Sequence, residues 1–130
     1  MAWWLKWLGR EFRPGLYECT HFVGDVMEAE FNLRLAQWSP PVSHRACDRA
    51  APDLRARLLA KPATAPLDGD CVLMRSAHGR RLQGWHVGVF VQATRPSALH
   101  CMTGCGAVLT PIKGLERLDL RLEGIYRWRR

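Results

Sequence analysis

The apolar residues divide the chain into a helical part and a strand-forming part. From Cys19 onwards the apolar positions recur at the i, i+3, i+4, i+7, i+8 spacing of a helix with one buried face, at Phe22, Val23, Val26 and Met27. We therefore predict a helix that begins at Cys19 and extends to about Leu35. Two prolines in Ser39-Pro40-Pro41 exclude a continuation beyond that point.

After the turn at Asp68-Gly69-Asp70 the apolar pattern changes to the short runs and alternation typical of strands. We predict strands at Cys71–Met74, Trp85–Ala93, Ala98–Met102, Ala107–Thr110 and Leu120–Trp128. A helix followed by a meander of strands is typical of an α+β protein, in which a helical layer packs on a small antiparallel sheet.

The length of 130 residues predicts a single domain over residues 1–130. Residues 1–15 form an aromatic N-terminal segment, and residues 39–67 read as an Arg- and Pro-rich surface insert. Within that insert Asp53 is placed to cap a short helix through Ala60. We expect the tryptophans of the first segment to pack against the protein's own core or a partner.

Charge and cysteine content limit the function classes. The formal charge of +7 permits attraction to nucleic acid, anionic lipid or an acidic wall polymer, without choosing among them. Five cysteines are an odd number, which makes a disulfide framework a poor account of them. The first residues lack the features of a signal peptide and are too few to span a bilayer. We therefore expect synthesis in the cytosol and no transmembrane segment.

Cys19 and two histidines are the candidates for chemistry. A cysteine in the first turn of a helix lies at the positive end of the helix dipole, which favours the thiolate. His86 lies in a predicted strand between Gly84 and Gly88, which leave backbone space beside its ring. If the next strand pairs with this one, His100 can orient the imidazole of His86, although strand alternation also places Gln92 on the same face.

Several motifs occur in the order and at the spacing of a known family. They are Leu8-Gly9, Tyr17-Glu18-Cys19-Thr20-His21-Phe22-Val23, Asp68-Gly69-Asp70-Cys71-Val72-Leu73-Met74, His86-Val87-Gly88-Val89-Phe90-Val91 and Leu99-His100. As a set they resemble the signature of NlpC-type cell-wall cysteine peptidases. The resemblance extends from about Trp7 to the C-terminus, and the short form is similar to those carried by tailed bacteriophages.

The resemblance implies a papain-like fold in which Cys19 is the nucleophile, His86 the general base and acid, and His100 the residue that orients it. It implies hydrolysis of peptide bonds in peptidoglycan stem peptides without a cofactor or metal. It also implies a place in the virion tail, with tail-tip proteins as partners and action in the host periplasm and cell wall.

The chain differs from the family's usual pattern at two places. Thr20 and His21 follow the nucleophile, where serine or tryptophan and then a small or aliphatic residue are usual. Trp7 stands where a tyrosine hydroxyl commonly lines the site, and an indole N–H cannot reproduce that geometry. Tyr17 is a possible substitute, and we take Tyr17, Trp7 and Trp85 as candidates for substrate binding.

The sequence also permits three other functions, which are zinc binding, nucleic-acid binding and a purely structural role. His44 with Cys47, and His100-Cys101 with Cys105, have spacings tolerable for zinc, although Cys101 would point to the opposite face from His100. Nucleic-acid binding through the arginine clusters is disfavoured because aromatic residues do not alternate with them in the middle of the chain. The remaining alternative is a structural protein of the tail tip that keeps the fold but not the activity.

Overall fold

The computed structural model describes residues 2–35, 59–78 and 81–128. In these ranges one α-helix, α1 (Cys19–Phe31), packs on an antiparallel sheet of six strands. The fold is therefore α+β, as predicted. The strands lie in the order β1-β6-β2-β3-β4-β5. Their bounds are β1 Leu59–Pro62, β2 Cys71–His78, β3 Arg81–Val91, β4 Ser97–Met102, β5 Gly106–Pro111 and β6 Leu120–Trp128.

Helix α1 starts at the predicted residue and ends earlier than predicted. Glu18 and His21 form a capping box, in which the Glu18 N–H donates to His21 Nδ1 at 3.1 Å. At the other end Asn32 adopts the left-handed conformation with φ 51°, and its N–H bonds the Met27 carbonyl. Asparagine tolerates this conformation and closes the helix before Leu35. Ser39-Pro40-Pro41 lies outside the described residues.

The two faces of the sheet carry separate apolar clusters. Under α1 the buried side chains come from alternate strand positions, among them Val87, Val89 and Leu99. The opposite face is covered by a 3₁₀ helix, Ile112–Leu118, which packs around Phe90 and Met74. No helix among the described residues is long and apolar enough to cross a membrane.

One strand and one 3₁₀ helix were not predicted from the sequence, and two strands are longer than predicted. Leu59 and Ala60, placed in the predicted helix from Asp53, belong instead to β1, which pairs with β6. The remainder of that predicted helix lies outside the described residues. The 3₁₀ helix Ile112–Leu118 was not predicted at all. Strands β2 and β3 are longer than predicted, because their pairing continues from Arg75 and Trp85 out to His78 and Arg81.

The aromatic N-terminal segment packs on the protein's own core, as expected. Trp7 is only 4% exposed and meets Phe22 edge to face, with ring centroids 6.0 Å apart. Trp3 meets Phe31 in the same way at 5.2 Å, and its indole N–H donates to Asp68. Trp4 is partly buried against the same cluster. The three tryptophans therefore help to hold α1 on the sheet.

We expect Gly69→Ala to destabilise the fold more than Gly104→Ala. Both glycines have positive φ, 96° and 81°, which costs about 1 kcal/mol for alanine. At Gly69 an added Cβ would also lie 2.8 Å from the Phe31 ring, whereas at Gly104 nothing lies within 4 Å. Overpacking of this kind adds about 1–3 kcal/mol. Urea unfolding followed by tryptophan fluorescence measures both, and equal losses would contradict tight packing of Phe31.

Candidate active site

The candidate site lies where strands β3 and β4 cease to pair with each other. Their ladder comprises the pairs Val91↔Ser97, Phe90↔Ala98 and Val89↔Leu99. Towards His86 and His100 both strands continue, but β3 is paired with β2 and β4 with β5. The two histidines therefore lie just beyond the last pair of the β3–β4 ladder.

Gly88 allows β3 and β4 to approach each other closely beside the two histidines. A Cβ at Gly88 would lie 2.9 Å from the Leu99 carbonyl oxygen and 3.1 Å from the Cβ of His100. Any larger residue would push β4, and with it His100, away from His86. The glycine of the His86-Val87-Gly88 motif thus sets the spacing of the two rings.

Three polar side chains on adjacent strands form one chain of contacts. Nε2 of His86 lies 2.9 Å from Nδ1 of His100, and Nε2 of His100 lies 2.9 Å from Oγ1 of Thr110 on β5. The rings of the two histidines meet edge to face. All three residues are buried, and His100 is completely so. The structure therefore brings His86 and His100 together as expected, and adds Thr110.

The environment keeps His100 neutral. Burial, and then the charge on His86, lower the pKa of His100 to about 3. If the pair takes up one proton beyond those of the two neutral rings, that proton therefore belongs to His86. A neutral His100 can accept a hydrogen bond from a charged His86, which is the arrangement a general base needs from its orienting partner.

Helix α1 packs on the two strands that carry the histidines. Its last residue, Phe31, packs beside Gly69, whose N–H bonds the Phe90 carbonyl. Cys19 lies about 18 Å from that point along the helix axis, and His86 lies about 13 Å from Phe90 along β3. Helix α1 packs on β3 and β4, with Cys19 in the same cluster as Val87 and Val89, whereas strand alternation turns the two histidines towards the other face of the sheet.

The side chains next to Cys19 are committed to the helix start. His21 accepts the Glu18 N–H and stacks on Tyr17, so it serves as a capping residue. The Tyr17 hydroxyl donates to Asp25 at 2.8 Å and accepts from Arg10. Burial raises the pKa of Tyr17 to about 12. The hydroxyl therefore stays protonated and is held on the outer side of the helix by Asp25.

The two candidate tryptophans make different contacts. The Trp7 indole N–H donates to Glu30 at 2.9 Å, and its ring meets Phe22, three residues after Cys19. Hydrogen bonds from Lys6 and then Trp7 lower the pKa of Glu30. Trp85 adjoins His86, is partly buried against the α1 cluster, and carries the Arg75 guanidinium 4.7 Å above its ring.

The remaining sequence candidates fall elsewhere. Gln92 is exposed beyond the end of β3, about 20 Å along the strand from His86, so His100 is the residue that contacts the imidazole. Burial raises the pKa of Cys71 and brings that of Cys101 to about 11, which makes both thiols inert core residues. Cys105 is an exposed free thiol.

The described residues contain no group of three or more His, Cys, Asp or Glu side chains that could hold a metal ion. His100 is in contact with His86 and Thr110 rather than with a cysteine. The other proposed pair, His44 and Cys47, lies outside the described residues.

A separate cavity of about 440 Å³ borders Thr110 on the far side from His86. Its apolar wall comes from β5 and the 3₁₀ helix, and the cations Arg95, Lys113 and Arg117 stand around it. Thr110 therefore both ends the chain of contacts from His86 and lines this cavity.

Comparison with known protein families and with curated proteins gives no relative of this chain, since no family model and no curated protein matches it. The resemblance to NlpC-type peptidases therefore rests on the motifs of the sequence.

Proposed function

We propose that the protein is a papain-like cysteine peptidase of the NlpC type that hydrolyses peptide bonds in peptidoglycan stem peptides. The observation that carries the proposal is the 2.9 Å contact of His86 with a buried, neutral His100, on the two strands against which the helix of Cys19 packs. Nothing in that set of residues needs a metal or organic cofactor to cleave an amide.

In this proposal the Cys19 thiol and the His86 imidazole meet at the end of the β3–β4 ladder. Val87 and Val89 pack under α1, so strand alternation turns the His86 ring towards the other face. Cys19 begins the helix on the first face. Just beyond the last β3–β4 pair, His86 Nδ1 takes the proton of the Cys19 thiol, while His86 Nε2 is held by His100.

The proposed reaction is acyl transfer in two steps. The Cys19 thiolate attacks the amide carbonyl, backbone N–H groups of the first helical turn hold the oxyanion, and His86 protonates the leaving amine. Water, deprotonated by His86, then cleaves the thioester and restores the thiol. The net charge of +7 favours encounter with an anionic wall polymer. We place the enzyme in a phage tail, acting in the periplasm and cell wall beside tail-tip proteins.

An idle structural protein of the tail tip is the second candidate. Tyr17 is the possible substitute for the tyrosine hydroxyl usual in the family, but its hydroxyl donates to Asp25. Trp7, which stands at the place of that tyrosine, donates to Glu30. Cys19 is also only 5% exposed, which narrows the approach of a substrate. These two observations favour a fold retained without turnover.

The reactivity of Cys19 decides between the two candidates. An ordinary thiol, with pKa near about 8.5, labels about tenfold more slowly for each pH unit below that value. A Cys19 thiolate paired with His86 should label with iodoacetamide at a nearly constant rate between about pH 5 and pH 8. Peptide mass spectrometry follows Cys19 and the exposed Cys105 in the same sample.

His86→Ala should make the Cys19 profile fall in parallel with that of Cys105, because the paired base is gone. Gln92→Ala is the matched control, since its exposed side chain is remote from His86, and it should leave the profile unchanged. A wild-type Cys19 that already follows Cys105 would contradict the catalytic assignment and favour the structural candidate.

A further inference from the structure

Thr110 ends the chain of buried contacts that begins at His86, and the proposed reaction gives it no role. Its Oγ1 lies 2.9 Å from Nε2 of His100, and it reaches that ring diagonally across the β4–β5 ladder, where its own partner is Ala98. His100 is fully buried and Thr110 is 9% exposed. The His100 ring itself is therefore closed to solvent, while Thr110 also lines the cavity described above.

The protonation of His100 fixes what Thr110 has to do. A neutral imidazole has one N–H donor and one acceptor nitrogen. When His86 carries a proton on both nitrogens, its Nε2–H donates to Nδ1 of His100. The proton of His100 is then on Nε2, and the atom placed to accept it is Oγ1 of Thr110.

We propose that Thr110 is a positioning residue, whose hydroxyl accepts the Nε2–H of His100 and thereby keeps Nδ1 of His100 available to the imidazolium form of His86. This inference rests on the proposed Cys19–His86 couple. Thr110 acts through two histidines and touches neither the thiol nor the substrate.

Burial makes the hydroxyl consequential. With valine at position 110 the Nε2–H of His100 would be left without an acceptor in a site closed to solvent, which is among the costlier defects in a folded protein. His100 would then favour the tautomer with the proton on Nδ1. That tautomer opposes the Nε2–H of His86 with a second donor, and the imidazolium is destabilised.

Thr110→Val and Thr110→Ser form a matched pair, since valine keeps the shape and loses the hydroxyl while serine keeps the hydroxyl. The first measurement is ¹⁵N NMR of the histidine rings at pH 6, which reports the tautomer of His100 directly. We expect Nε2-protonated His100 in the wild type and in Thr110→Ser, and loss of that signature in Thr110→Val. Nδ1-protonated His100 in the wild type would overturn the proposal.

The second measurement is the rate of Cys19 alkylation at pH 6. Loss of one hydrogen bond coupled to a charged group should slow Thr110→Val about tenfold, with Thr110→Ser within about twofold of the wild type. Equal slowing in both variants would mean that packing alone is responsible and would overturn the proposal. So would a Thr110→Val protein that labels as fast as the wild type.

The two measurements separate failure of the inference from failure of the proposed function. If wild-type Cys19 labels like an ordinary thiol, the peptidase proposal fails, and the NMR tautomer still decides the role of Thr110. If Cys19 is activated and Thr110→Val behaves as the wild type in both measurements, the peptidase proposal stands and only the inference fails.

Discussion

Replacing Cys19 with alanine is expected to lower the rate of peptidoglycan hydrolysis by roughly 10⁴-fold or more, because loss of a covalent nucleophile removes the acyl-enzyme route entirely. The rate is measured as soluble muropeptides released from purified cell walls and separated by mass spectrometry. The same digestion identifies the bond cut, since a stem-peptide peptidase leaves new amino and carboxyl termini in the peptide and leaves the glycan chain intact.

Cys19→Ser and Cys105→Ala provide the controls for this experiment. Serine is close in size to cysteine and preserves the packing under α1, yet its hydroxyl is far less acidic, so it should be nearly as inactive as alanine. Cys105 is exposed, and its replacement should leave the rate unchanged. A Cys19→Ala protein that digests walls as fast as the wild type would rule out Cys19 as the nucleophile.

The helix and the main strands were accessible from sequence because each carries a complete apolar period. Residues Phe22, Val23 and Val26 of α1 repeat at helical spacing, and all three are fully buried between the helix and the sheet. Strands β4 and β6 were predicted to within one residue at each end. Where burial decides the local structure, the pattern of side chains is sufficient to find it.

The elements that sequence reasoning missed depend on neighbours rather than on their own pattern. Strand β1 has four residues, too few to show alternation, and it exists through its pairing with β6. The 3₁₀ helix Ile112–Leu118 fully buries Leu115 and partly buries Ile112 and Leu118 at a spacing of three, and seven residues are too few for that spacing to stand out. Both elements are stabilised by tertiary contacts that a single sequence does not display.

The site divides in the same way. The pairing of His86 with His100 followed from two predicted strands, and the resemblance favoured His100 over Gln92. The structure then shows His100 in contact with the imidazole. Thr110 carried no signal of its own. It could have been found only by extending the register of β3 on β4 to β5, which places it diagonally opposite His100.

The acid stability of the fold provides a test of the buried histidine pair. The pKa of His100 is lowered to about 3 in the folded protein, against about 6.5 when unfolded. Below pH 6.5 the unfolded chain therefore takes up a proton that the folded protein excludes. The stabilisation is complete above pH 6.5 and is lost as the pH falls, by about 1.4 kcal/mol per unit.

His100→Gln should remove this dependence, because glutamine does not titrate yet can still accept a hydrogen bond from His86. The free energy of unfolding, measured in urea from pH 8 to pH 4, should fall more steeply for the wild type than for the variant, by roughly 3 kcal/mol over that range. The carboxylates are the same in both proteins, so their contributions cancel in the difference. If the variant is too unstable to measure, His100→Asn serves the same purpose. Parallel curves for wild type and variant would mean that His100 binds protons equally well in both states, and would contradict a neutral, buried partner for His86.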